Sequence, residues 1–257
     1  MSTQTSPQSM IVLQYDQLPH YRVANLKSST HSIQVDGDTD EPFLSTRSIS
    51  TYPLLPGGEK DGDPIADKLF VQVHRNRAIL AVADGCNWGK RPALAASHAI
   101  AAFANYFNQR QSEILTLQDA GHFLLRAFCE AHNKIVEGKN DIWEAGTTTL
   151  LGGLVLELED DSGVPKWGFL CASVGDCKAF LVSLKRREAT DVTNGNRCNL
   201  NDTRDPGGRL GPYVGQGYPD LRNLKFSQNK KQPNDYREYP GKMDHTTCVT
   251  FQIGRSK

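Results

Sequence analysis

None of the six cysteines, at 86, 129, 171, 177, 198 and 248, forms a C-x-x-C pair. Several lie inside apolar runs, where cysteine packs as a small hydrophobe. Structural zinc is therefore not expected, and reduced cytosolic thiols are. Net charge is also missing. The 29 basic residues balance the 29 acidic ones, so no long-range field favours nucleic acid or an anionic membrane. No apolar run approaches the roughly 20 residues that cross a bilayer, and the mean hydropathy of −0.49 suits a soluble fold. Met1 to Gln8 has neither a basic start nor an apolar block, so no secretory signal is expected. A cytoplasmic location follows, with the nucleus left open. The chain also lacks an EF-hand loop, an internal repeat and any β-α-β alternation, which disfavours a calcium-binding module and a doubly wound parallel fold. Nothing in it marks an oligomeric state.

With 257 residues there is enough chain for one sizeable core or two small ones. Residues 1 to 60 are rich in Ser, Thr, Asp, Gly and Pro and read as an irregular lead-in, with Met10 to Leu13 as a possible edge strand. Order is expected from Leu69. Leu69 to Val73 and Ala78 to Ala83 flank a turn and predict an antiparallel hairpin. After Pro92, which suits a first helical turn, the residues Ala96, Ala99, Ile100, Phe103 and Phe107 recur at helical spacing. Thr116 to Asp119 matches a capping box in its acidic form. Phe123, Leu124, Ala127, Phe128, Ala131 and Ile135 then repeat the helical period up to Gly138, a plausible stop. Strands return at Thr147 to Leu158, Trp167 to Val174 and Lys178 to Leu184, with a turn over Asp160 to Gly163. The stretch from Lys225 to Lys242 is too polar to add much core, and Thr246 to Ile253 alternates as a last strand. This order predicts an α+β fold with helices packed on an antiparallel sheet.

Three aspartates share one context. Asp84, Asp176 and Asp244 each lie at a predicted strand boundary, and the first two adjoin glycines. Asp-Gly is a common turn pair, so independent surface turns would explain them. The alternative is a set of carboxylates converging at one end of the sheet, joined by Asp61 or Asp63, whose mutual repulsion a bound Mg²⁺ or Mn²⁺ would relieve.

Five blocks in order resemble the metal-dependent PPM-type (type 2C) serine/threonine protein phosphatases. They are Val82-Ala83-Asp84-Gly85, Ala145-Gly146-Thr147-Thr148, Ala172 to Ala179 around Gly175-Asp176, Gly207-Gly208-Arg209-Leu210-Gly211, and Asp244-His245-Thr246-Thr247. The resemblance implies a phosphatase-like domain over residues 61 to 254. Its fold would be a four-layer α-β-β-α sandwich of two antiparallel sheets flanked by antiparallel helices. It implies hydrolysis of phosphoserine or phosphothreonine in phosphorylated protein substrates by a hydroxide bridging two Mn²⁺ or Mg²⁺ ions. Residue by residue, it implies that Asp84 bridges the metals and that Gly85 ligates one through its carbonyl. Asp63, 21 positions earlier, would hold metal-bound water, with Asp61 a weaker claimant. Asp176 would recruit a further metal, and Asp244 would be the terminal ligand.

The retained Asp84, Asp176 and Asp244 favour an active phosphatase, but there are four departures from the family pattern, and three of them, Cys86, a missing arginine and a missing block, favour the alternative of a catalytically impaired pseudophosphatase acting as a phosphoprotein-binding or scaffold module. Cys86 stands where the family has a histidine acting as general acid; His98 or His245 would either substitute or be simply a polar residue on its own element. No arginine precedes the early acid, so Lys60 is the nearby cation. The residues after Gly85 include Trp88, a large aromatic, followed by Lys90 and Arg91 as phosphate-facing charge. Finally, only 33 positions separate Gly211 from Asp244, and no Asp-Gly-x-x-Asp block lies between them. The matched flanks imply an internal segment missing at 226–231, as an alternatively spliced form or an incomplete gene model would produce, and hence a second half of the sandwich that is incomplete.

Overall fold

The structure is a computed structural model, and it describes residues 21–27, 33–87, 89–139, 144–159, 165–193 and 245–253. Five strands form the main sheet, in the order β1 (Ile33–Val35), β4 (Lys68–His74), β5 (Arg77–Ala83), β6 (Leu150–Leu158) and β7 (Lys166–Val174). Every pairing in it is antiparallel. The predicted hairpin is β4 and β5, in register from Lys68 opposite Ala83 to His74 opposite Arg77.

Helices α1 (Lys90–Arg110) and α2 (Leu117–Val136) lie against one face of this sheet. Side chains alternate along a strand, so Ile79, Ala81 and Ala83 of β5 share that face. Leu150, Leu154 and Leu156 of β6 share it too, and all six are buried in one cluster with Phe103, Phe107, Leu124 and Phe128. At Gly152 the face lacks a side chain: an added Cβ would sit 2.5 Å from the Phe103 ring. That gap lets the Phe103 and Phe128 rings, 6.1 Å apart and edge to face, approach the sheet backbone. The expected apolar residues of α1 and α2 are buried, except that Phe123 packs only partly against the core. Thr116 and Asp119 form a reciprocal capping box at the start of α2, and Gly138 follows its end with φ of 68°.

A second antiparallel sheet has the order β10 (His245–Phe251), β3 (Leu44–Ser50) and β2 (Thr39–Glu41). Residues 33–50 therefore hold strands where the sequence suggested an irregular lead-in. β2 and β3 form a tight hairpin with Glu41 opposite Leu44, but the other partners are distant: Ile33 pairs with Val73, and Leu44 to Ser50 pair with Phe251 to His245. Strands paired at such a distance carry no local signal. The strand expected over Lys178 to Leu184 is shorter, Phe180–Ser183 (β8), and pairs with Glu188–Asp191 (β9) as a separate hairpin. The suggested strand at Met10 to Leu13, the turn at Asp160 to Gly163 and the segment 194–244 lie outside the described residues. Among the described residues, no helix is long and apolar enough to cross a membrane.

Part of the expected lead-in also ties the far end of the sheet together. Val23 N–H donates to Leu115 O, and Ala24 N–H donates to Glu157 O, so residues 21–27 bridge the α1–α2 connection and β6. Buried Arg77 donates to Ala24 O (3.0 Å) and to Gln111 O. Burial holds its guanidinium at about 10, below the usual arginine range.

Two outcomes are expected. Thr116→Ala removes the side-chain acceptor for the Asp119 amide and lowers stability by about 1 kcal/mol in urea titration. The second concerns His74, whose imidazole is held below its ordinary value of 6.5 by burial and then by the Arg77 charge. The unfolded chain therefore binds that proton first as pH falls. The associated stability is full above about pH 6.5 and is lost as pH drops through the lower folded value. His74→Gln should flatten the decline of the urea midpoint between about pH 7 and pH 5.

Candidate functional site

Strand β5 ends at Ala83, but the chain stays extended for three more residues. Cys86 N–H donates to Thr147 O at 2.9 Å, and Thr149 N–H donates to Asp84 O at 2.8 Å. At Asp84 a side chain replaces the next backbone partner: its N–H donates to the Thr149 hydroxyl at 2.9 Å. The Thr148 hydroxyl donates to Asp84 O at 2.9 Å. Both backbone groups of Asp84 are thus held, and its half-buried side chain projects from a fixed base. Gly85 pairs with Thr148 as a bridge between these bonds. Peptide groups alternate in direction along an extended chain, so those of Gly85 face away from Thr148.

The first turn of α1 presses on this corner. A Cβ on Gly85 would meet Pro92 O at 2.7 Å and the Ala66 side chain at 2.9 Å, and one on Gly146 would meet Arg91 O at 2.2 Å. The Asp-Gly and Ala-Gly blocks thus share a packing reason: backbone sits where side chains would be. The α1 N-terminus has no side-chain cap and no acidic residue in its first turn. Lys90 and Arg91 are both exposed there.

The turn after β7 completes the corner. Gly175, with φ of 113°, takes a conformation that strains other residues. Cys177 Sγ then lies 3.1 Å from the Thr149 hydroxyl. The Cys177 thiol is pushed up to about 12, first by burial and then by the negative charges of Asp84, Asp176 and Asp67, against the opposing Thr149 hydrogen bond. Asp176 is the exposed chain neighbour of Cys177, and Asp84 and buried Asp67 lie near enough for their charges to act on the thiol. Asp84 and Asp176 are two of the three strand-end acids singled out by the sequence.

Asp67 was not expected. It is 5 % exposed at the start of β4, whereas Asp63 is exposed and folds back onto its own turn, accepting the Lys60 N–H at 2.8 Å. The usable signal was its position immediately before the first core strand. Asp61 is exposed, and its N–H donates to Pro53 O. The Lys60 ammonium donates to Ser50 O, so it serves the second sheet's edge. His245 is also committed: it is buried, its Nδ1 accepts the Ala66 N–H at 3.2 Å, and its ring lies 5.1 Å from Tyr52. Asp244, Trp88 and the Gly207 to Gly211 block lie outside the described residues.

In kind, the oxygens of Asp67, Asp84, Asp176 and the Gly85 carbonyl suit a hard divalent cation. Among the described residues, however, no three His, Cys, Asp or Glu side chains come close enough to cage one. A shallow groove between α1 and α2, lined by residues such as Tyr106, Arg110 and Glu130, shares no residue with this corner.

No family model matches the chain. It is similar to the PP2C-like domain-containing protein CG9801 of Drosophila melanogaster, 32% identical over a 197-residue alignment that covers 73% of the chain. This supports a relationship to the PP2C, or PPM, phosphatase family. The match spans 26% of that relative's length, about a quarter of it.

Gly85→Ala and Gly146→Ala should each cost about 1–3 kcal/mol by forcing the start of α1 off the corner. Gly57→Ala, with nothing within 4 Å of the added carbon, should be nearly neutral; thermal unfolding of the three variants side by side checks this.

Proposed function

We propose that the chain carries a PPM-type domain that hydrolyses phosphoserine and phosphothreonine in proteins with Mn²⁺ or Mg²⁺. The observation that carries this reading is the hydrogen-bonded corner that joins the Asp84 segment through Thr149 to Cys177, next to Asp176, in a chain whose relative bears a PP2C-like domain. When bound, the cations supply charge neutralisation and an activated water. The chain's own residues do the rest. Asp84 offers its carboxylate alone, because its amide and carbonyl are taken by Thr148 and Thr149. Asp67, rather than Asp63, fills the role of the early acid, and Asp244 that of the terminal ligand. Lys90 and Arg91, at an uncapped helix start, attract the substrate phosphate.

Cys86 favours the second reading, a pseudophosphatase that binds phosphoproteins without turnover. It occupies the general acid's place in the motif, and a thiol is a weaker acid than imidazolium. A phosphothreonine peptide assayed with Mn²⁺, with EDTA and with Asp84→Asn separates the two. Metal-dependent hydrolysis reduced at least a hundredfold by Asp84→Asn is the expected result. Saturable phosphopeptide binding with no phosphate release would establish the second reading instead.

A further inference from the structure

We infer that Thr149 is a positioning residue that lashes the Asp176 turn to the Asp84 corner, setting the spacing between carboxylates from two separate segments. Asp84 follows β5 and Asp176 follows β7, and those strands are not neighbours, since β6 lies between them. The main-sheet ladders stop short of both acids. The β5–β6 register ends at Val82 opposite Leu151, and the β6–β7 register ends at Leu150 opposite Val174. Beyond those rungs, Thr149 makes both links. Its hydroxyl accepts the Asp84 N–H at 2.9 Å and lies 3.1 Å from Cys177 Sγ, next in the chain to Asp176. Its own N–H donates to Asp84 O at 2.8 Å.

A hydroxyl can do this because it accepts and donates at once. With the oxygen accepting from Asp84, its proton can go to sulfur, or the thiol proton can come to the oxygen. Valine has nearly the same shape but neither capacity. Serine keeps the hydroxyl and loses only the methyl.

This inference rests on the proposed metal-dependent reading, and its test is metal binding itself. Mn²⁺ bound to the purified chain is measured by the loss of the free-ion electron paramagnetic resonance signal in wild type, Asp84→Ala, Thr149→Val, Thr149→Ser and Cys177→Ala. Circular dichroism confirms that each is folded. The expected result is that Thr149→Val weakens Mn²⁺ binding by about 10–100-fold, the range typical of groups that orient metal ligands. Thr149→Ser should restore it, and Cys177→Ala should show an intermediate loss. Wild-type binding lost in Asp84→Ala but unchanged in Thr149→Val overturns the inference alone. Should Thr149→Val fail to fold, Thr149→Ser binding like wild type while Cys177→Ala binds less tightly supports it, and Cys177→Ala equal to wild type overturns it. A wild type that takes up no Mn²⁺ overturns the metal reading and this inference with it.

Discussion

The short ladder between Asp84–Cys86 and Thr147–Thr149 is the constraint on which the site end of the molecule depends. It extends β5 past the last regular rung and fixes the backbone of an acidic residue in a partly buried place. The start of α1 can then settle on Gly85 and Gly146, because neither carries a side chain. Without that close approach the start of the helix would stand off this corner.

Concentrating negative charge at the end of a buried sheet is unfavourable unless something offsets it. The Cys177 thiol registers this imbalance, being held protonated by burial and by three carboxylates. At the opposite end of β5, Arg77 and the strap at residues 21–27 close the helical layer onto the sheet with neutral backbone acceptors. The His245–Ala66 bond ties the second sheet to the segment that leads into Asp67. The two ends thus divide the tasks of holding the fold and presenting charge.

Much of the helical layer was legible from local pattern. The recurring Ala and Phe positions of α1, the Thr116–Asp119 box and the β4–β5 hairpin all declare themselves within a dozen residues, because helical period, capping and turn chemistry are short-range. Strands β1 to β3 did not. They carry polar residues such as Arg47 and Ser48; β1 and β3 find partners more than thirty residues away, and three-residue β2 pairs only with β3. The burial of Asp67 was hidden for a related reason: only packing and the folding of the 60–63 turn distinguish it from exposed Asp63 four positions earlier.

The sequence by itself determined the α+β pattern, the helices and their cap, and the strand-end positions of Asp84 and Asp176. These follow from propensity and periodicity, which act between near neighbours. Only the tertiary structure decided that Asp67 is buried, that Lys60 and His245 are committed to backbone groups, and that one threonine hydroxyl spans β5 and the turn after β7. Those outcomes depend on which distant backbones meet, and a hydrogen bond a few ångströms long is set by packing rather than by spacing along the chain.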